Sequence, residues 1–433
     1  MDRRISILAS ESVALLKEMI AVPSPSFEEE KVCSHICGWM TDKGVVHERV
    51  GNNIIASHIT YESLPTLMLC AHIDTVSASP DYSFDPYTPD YQKAAETISA
   101  IRGEGLKPEE IVAGLGSNDD GASAVAMIAA YRYLCETDGQ GERGIQNNPS
   151  HFVGPSPCGQ GGSTVLNTSL TPNAEPAQKT RDDAMTGIAC GKSTSNIILV
   201  LTCEEERSGK NGMTGLWGTR LCSRSEAKEG CIAIDYAIVG EPTGMRAAVA
   251  ERGLLVIDAT AYGISGHAAR NEGKNALYMA LEDIQKLRSH EFERISQRMG
   301  KVNLNVTQIH AGTAHNVIPD RCDFVIDIRP TEKYSNEEIL KELQGICSSE
   351  LKARNLANRS SATVEDSPLQ AAADRLGIAT FSSPTTSDWM RITCDAVKMG
   401  PGESERSHKK DEYVLVSEIV DGIKTYIEFI RQI

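Results

Sequence analysis

Three stretches of this chain are uncharged, of strand length, and run directly into a histidine or an acid. They are Leu67-Met-Leu-Cys-Ala-His-Ile-Asp-Thr-Val76, Asn196-Ile-Ile-Leu-Val-Leu-Thr-Cys-Glu-Glu-Glu206 and, after its opening aspartate, Asp235-Tyr-Ala-Ile-Val-Gly-Glu-Pro-Thr243. Short apolar runs bounded by turn-forming residues read as buried strands. Open α/β sheets carry their sites beyond the carboxyl ends of such strands. One polar group at a strand end is ordinary, and three consecutive acids are usually a solvated loop. Three strands that each finish in a potential metal ligand form a pattern with more weight than any single motif. His72 and Asp74 lie two apart on extended chain, so their side chains point the same way. The carboxylate can then support the imidazole, as the outer partner of a ligating histidine does.

A second type of element supplies further acids. Gly114-Leu-Gly-Ser-Asn-Asp-Asp-Gly121 precedes the Ala-rich helical run Ala122 to Tyr133. Asp119 and Asp120 therefore sit on a glycine-bounded turn at a helix start. Capping explains one such aspartate; two in a turn that lets backbone approach closely raise the metal reading.

The chain has 433 residues, beyond the size at which single cores stop growing, which predicts two domains. Its 43 basic and 59 acidic residues leave a formal charge of −16. That balance opposes a nucleic acid or an anionic membrane as partner. A carboxylate substrate would then need a local Arg or Lys. The N-terminus has no long apolar segment and no run reaches the length of a membrane span, so a cytoplasmic protein is expected. The cysteines follow no regular framework and several fall in predicted strands and helices, which suits reduced thiols. Cys33 and Cys37 share a helical pattern without a second pair nearby and read as packing residues.

Taken in order, Ile5 to Ile20 has helical periodicity, ended by Pro23-Ser-Pro25, and Ser26 with Glu28 to Glu30 opens a second helix. Tyr91 to Glu110 is polar and undistinguished. Residues 137–195 are rich in Gly, Ser, Asn, Pro, Gln and Thr and read as a flexible insertion without a packed core, to which Cys158 and Cys190 belong. From Arg246 the rhythm changes. Strand Leu254 to Tyr262, helix Asn275 to Leu287, strands Val302 to Ile309 and Arg321 to Ile328, and helix Asn336 to Cys347 give β-α-β-β-α-β if Ser360 to Val364 closes the unit. That order predicts a ferredoxin-like small domain. Afterwards the α/β pattern returns, through Ser387-Asp388, Lys398-Met-Gly-Pro-Gly402 and His408, to a final helix Val414 to Ile430.

These residues resemble the acetylornithine deacetylase / succinyl-diaminopimelate desuccinylase family of binuclear zinc amidohydrolases. The matching motifs are Ala71-His-Ile-Asp-Thr-Val76, Gly114-Leu-Gly-Ser-Asn-Asp119, Thr202-Cys-Glu-Glu-Glu206, Val239-Gly-Glu-Pro-Thr243, Ser265-Gly-His-Ala268, His315-Asn-Val-Ile-Pro319 and Gly400-Pro-Gly402 with His408 and Asp411-Glu412. They run in family order across almost the whole chain outside the insertion, and the acetylornithine deacetylase branch is the nearer likeness.

The resemblance implies an α/β, zinc-peptidase-like catalytic domain with a mostly parallel sheet. It is formed by residues 1–245 and 364–433 and interrupted by a ferredoxin-like α+β dimerisation or lid domain, 246–363. It implies two Zn²⁺ per subunit, with Co²⁺ a possible substitute. One is held by His72, Asp119 and Glu241, the other by Asp119, Glu206 and His408, a donor set that suits zinc. Such a pair can position a water and polarise a scissile carbonyl. Glu205 would be the general base and Asp74 would orient His72. If the Glu204–Glu206 register slips by one, Glu204 is the base and Glu205 the ligand. Asp120 competes with Asp119 in the same way, and the Ser-Asn-Asp alignment favours Asp119.

His267 would reach into the partner subunit's site and stabilise developing oxyanion charge. Arg270, Asn316 and Arg329 are candidate contacts for a substrate carboxylate. The implied activity is hydrolysis of an N-acyl amino acid by a homodimer, with N-acetyl-L-ornithine as first candidate and arginine biosynthesis as its setting. Succinyl-diaminopimelate desuccinylase, an N-acyl-citrulline deacylase, an aminoacylase and a dipeptidase share the machinery. A non-catalytic binding homologue is the reading from another class, opposed by the competent residues at every ligand position.

Overall fold

The structure is a computed structural model and describes residues 2–138, 195–270 and 272–433. Most of the polar insertion expected at 137–195, with Cys158 and Cys190, lies outside the described residues.

The apolar runs form the centre of a nine-stranded sheet. Asn196–Thr202, Thr66–His72, Tyr236–Val239 and Asp395–Lys398 lie side by side and parallel. Parallel strands covered on both faces read as continuous apolar runs, which is why these segments carry no charge. Alternation still assigns their faces. Leu67, Leu69 and Ala71 face a core with the helices Arg3–Ile20, Ala122–Asp138 and Val416–Ile430. Met68 and Cys70 face the opposite core with Met213, Leu216 and Trp389. Outer strands Glu48–Val50, Asn53–His58, Ala247–Glu251 and Ser361–Ala362 pair antiparallel, while Thr380–Ser383 runs parallel to Ala247–Glu251.

The register decides where the site falls. His72 pairs with Thr202 and Cys70 with Val239. Counting two residues on, His72 and Glu241 leave the sheet at one level, and Glu204 to Glu206 follow at the same edge.

The small domain is ferredoxin-like. Its four strands lie in the order Asn303–Ala311, Arg321–Arg329, Leu255–Tyr262, Glu350–Ala353, all antiparallel. Helices Ala276–Ser289 and Asn336–Ile346 cover one face. The strands are buried at alternate residues, as expected for a sheet wet on one side. One expectation is corrected: the closing strand is Glu350–Ala353, and Ser361–Ala362, within the expected Ser360 to Val364, instead pairs with Ala250 and Glu251 of the large sheet. Ala247–Glu251 and Ser361–Ala362, which the 246–363 range assigned to the small unit, are thus strands of the large sheet. A second difference is the helix Tyr91–Arg102 in the stretch read as undistinguished. Its N-cap Asp90 accepts from Gln92 and Lys93, and Gly103 closes it in the left-handed conformation.

Each cysteine among the described residues is a free thiol. Among those residues no helix is long and apolar enough to cross a membrane.

Beneath the site lies a fully buried ion pair, Lys398 Nζ to Glu251 Oε2 at 3.1 Å. Removing one member leaves the other charged and dry, at a cost of about 3–5 kcal/mol. Lys398→Met should lose stability of that order in urea unfolding at pH 7, and adding Glu251→Met should restore most of it. A loss under about 1 kcal/mol, the scale of an exposed pair, would contradict a buried charged pair.

Candidate functional site

Asp119 lies between two imidazoles. Its Oδ1 is 3.2 Å from His72 Nε2, and its Oδ2 is 3.5 Å from His408 Nε2. The same His408 nitrogen is 2.9 Å from Glu206 Oε2. Ligand atoms of His72, Glu205 and Glu241 lie within 4.8 Å of one another, as do those of His72, Asp119 and Glu206. All five expected ligand positions and the expected base therefore meet at one edge of the sheet. The His408 side is open, its side chain 55% exposed, whereas His72 and Asp119 are buried.

Glu204 takes no part in the cluster. Its carboxylate accepts from Asn211 N at 3.0 Å and Asn211 Nδ2 at 2.6 Å, within its own loop. That loop closes only because residue 209 is glycine: a Cβ there would stand 2.1 Å from Glu204 Oε2. Glu205 and Glu206 are the two acids of the run whose oxygens join the converging groups, Glu205 with His72 and Glu241, Glu206 with His72 and Asp119. Asp120 is buried against Gly240, where a Cβ would come within 2.8 Å of its Oδ2, and it belongs to neither group of converging ligand atoms.

Asp74 acts on more than His72. His72 Nδ1 lies 3.0 Å from the Asp74 carbonyl oxygen and 3.5 Å from its carboxylate. The carboxylate accepts from Glu205 N at 3.0 Å, Glu206 N at 3.1 Å and Ser26 Oγ at 2.7 Å. Backbone oxygen and side chain thus fix the imidazole and the acidic turn together.

The electrostatics follow from crowding. Burial depresses the His72 imidazole, but the Asp119 and Asp74 carboxylates against it raise it well above its ordinary range. Glu206 holds the His408 imidazolium up to about 9. Burial pushes the Glu205 carboxyl well up, opposed by His72 and helped by Asp388 and Glu206. Burial, then Asp119, does the same to Glu241. Dry carboxylates facing one another are costly without cations.

Three acids at the site had no role assigned from the sequence. Glu412 accepts the N–H groups of Asn118 and Asp119, Glu29 accepts that of Glu204, and Asp388 accepts from Thr202 Oγ1 at 2.7 Å. Asp411-Glu412 stood in a matching motif, Glu29 passed for a helix-start acid, and Asp388 follows the Ser387 that caps its turn; only contacts across the fold reveal them.

The four small-domain positions lie elsewhere. His267, Arg270 and Asn316 are exposed. His267 belongs to a ribbon in which Gly266–His267 pairs with Val317–Ile318, and its Nδ1 accepts from Ala269 N at 3.2 Å. Arg329 is paired with Asp327 at 2.9 Å. None of the four hydrogen-bonds to the His72–His408 cluster.

Comparison with known proteins agrees with this architecture. Residues 249–355, which contain the small sheet, match a peptidase dimerisation domain model of the M20 type. A succinyl-diaminopimelate desuccinylase of Paracoccus denitrificans is 30% identical over 152 residues, covering 33% of this chain and 37% of the relative. An acetylornithine deacetylase of Myxococcus xanthus is 26% identical over 245 residues, covering 52% and 61%. The matched stretches thus span less than two thirds of those relatives. Among solved structures, aminopeptidase PepT of Bacillus cereus superposes with a TM-score of 0.64 at 16% identity over 98% of both chains. The Bacillus subtilis YXEP protein, a dinuclear metal-binding peptidase of the M20 family, does so with a TM-score of 0.60 at 14% identity over 99% of this chain and 98% of its own. The dimerisation domain of residues 249–355 and the overall fold are thus like those of M20-type peptidases and amidohydrolases.

Proposed function

We propose that the protein is a metal-dependent hydrolase that cleaves the amide bond of an N-acyl amino acid. The observation that carries this reading is the Asp119 carboxylate, with one oxygen toward His72 and the other toward His408. The residues fit two divalent ions. The donors are imidazole nitrogens and carboxylate oxygens, a set that suits zinc, and Glu205 and Glu241, buried beside other acids, favour added positive charge. His72, Asp119 and Glu241 would hold one ion and Asp119, Glu206 and His408 the other. Zinc is the first candidate metal and cobalt a substitute. When bound, such a pair activates water at neutral pH and polarises the substrate carbonyl.

The chain's own residues do the rest. Glu205 takes a proton from the attacking water and returns it to the departing amine, so its carboxyl ends each cycle as it began. Burial suits it to this task by making it a better proton acceptor than an exposed glutamate. Asp74 holds the Glu205 backbone and the His72 ring. In a homodimer, supported by the dimerisation-domain match, His267 of one subunit would serve the other's site, with Arg270, Asn316 and Arg329 candidate carboxylate contacts. N-acetyl-L-ornithine, giving ornithine and acetate in the cytoplasm, is the first substrate to test. The Paracoccus relative favours an N-succinyl substrate as second reading.

A panel of N-acetylornithine, N-succinyl-diaminopimelate and dipeptides, assayed with added zinc or cobalt, should show highest kcat/KM on an N-acyl amino acid. Preference for a dipeptide would reject the acyl reading, and a chain without bound metal or turnover would favour a binding module. Glu205→Gln should retain both metals and lose about 10²–10⁴-fold in kcat; loss of a metal instead would make Glu205 a ligand.

Metal uptake should also release protons. A proton held on His408 up to about 9 must leave before its nitrogen can ligate. Apparent affinity therefore climbs as pH rises and the His408 and His72 imidazoliums lose their protons. Calorimetry at pH 7.5 in buffers of different ionisation enthalpy reads this release directly. Buffer-independent heats would contradict it.

A further inference from the structure

We propose that Glu29 and Glu412 are positioning residues whose carboxylates set the spacing of the metal-facing acids by gripping the backbone beneath them. The inference rests on the metal reading above. Glu412 Oε1 accepts from Asn118 N at 2.8 Å and from Asp119 N at 2.9 Å. Glu29 Oε1 accepts from Glu204 N at 3.1 Å and from Phe27 N at 2.7 Å. Asp74 takes the next two amides, Glu205 and Glu206. Every N–H from Glu204 to Glu206, and both at Asn118 and Asp119, thus ends on a carboxylate brought from a distant part of the chain.

Neither carboxylate belongs to the groups whose ligand atoms converge. Both are dry, Glu29 at 0% and Glu412 at 2% exposure. Adding negative charge beside a cluster already crowded with it is unfavourable, since burial and the nearby Asp119 push the Glu412 carboxyl up to about 8. A neutral acceptor would avoid that repulsion. What each side chain supplies is an acceptor oxygen that receives two amides at once, and for Glu412 those amides are consecutive. The turn is then held against sliding, and Asp119 cannot shift relative to His408 without breaking the Glu412 contacts. Glu412 lies four positions beyond His408, so a single loop delivers one ligand and braces another.

The test uses the full chain and zinc, measured by competition with a chromophoric chelator, alongside thermal melting of the metal-free protein. Glu412→Ala and Glu29→Ala should weaken zinc binding by roughly 10–100-fold, the range for partners that orient ligands. Glu412→Gln and Glu29→Gln keep a carbonyl acceptor and should stay close to the parent. If Glu412→Ala does not fold, Glu412→Asp keeps the charge but shortens the reach by one methylene, and it should show the same loss. Unchanged affinity in the folded alanine variants overturns the proposal. So does an equal loss in the glutamine and alanine variants, because charge rather than the acceptor would then be responsible. Failure of the parent chain to bind zinc would instead overturn the metal reading itself.

Discussion

Carboxylates repel, and this fold gathers several of them, mostly dry, within a few ångströms at one edge of one sheet. Almost every feature around the site answers that repulsion. The parallel strands and their register bring His72 and Glu241 to the same level, with the Glu204–Glu206 turn beside them. His72 and His408 stand on either side of Asp119 and offset part of its charge. The backbone amides of both acidic turns point at carboxylates that hold them in place. What remains is a pocket still short of positive charge, which in the proposed reading is supplied by two divalent ions.

The second constraint is mechanical. The strand Ala247–Glu251 belongs to the large sheet, yet the chain leaves its end for the small domain and returns at Ser361, which pairs with Glu251 itself. Glu251 also receives Ser387 Oγ at 2.7 Å and Lys398 at 3.1 Å. The two domains are further tied by Arg298, whose Nη1 donates to Val249 O at 2.9 Å, and by Arg252, whose Nη1 donates to Lys301 O at 3.0 Å. The small domain therefore departs from a charged, buried joint close to the ligand loops. Its exposed ribbon, Gly266–His267 with Val317–Ile318, holds His267 at the surface.

Much of this was legible in the residues because it rests on local pattern. Uncharged runs predict strands buried on both faces, and glycine-bounded acids predict a tight turn. Alternating and helical periodicities predict the small domain's order. The remainder depends on pairings between distant segments. Glu350–Ala353 is short and polar, so nothing local marks it as the closing strand, while the β-like Ser360 to Val364 segment finds a stronger partner in the large sheet. Helix Tyr91–Arg102 buries only small residues and one isoleucine, leaving a weak stripe to read. Glu29 and Glu412 look like surface acids until the turns they hold are folded over them. The His-x-Asp spacing marks Asp74 as a support for His72, but the acidic turn it also caps lies more than a hundred residues away.

The central claim is that two ions share Asp119. Anomalous diffraction at the zinc edge from crystals of the full chain grown with zinc tests it most directly. The account predicts two peaks about 3.5–4 Å apart, one beside His72 and Glu241, the other beside Glu206 and His408, with Asp119 touching both. A single peak, or peaks that leave Asp119 outside coordination distance, would contradict it.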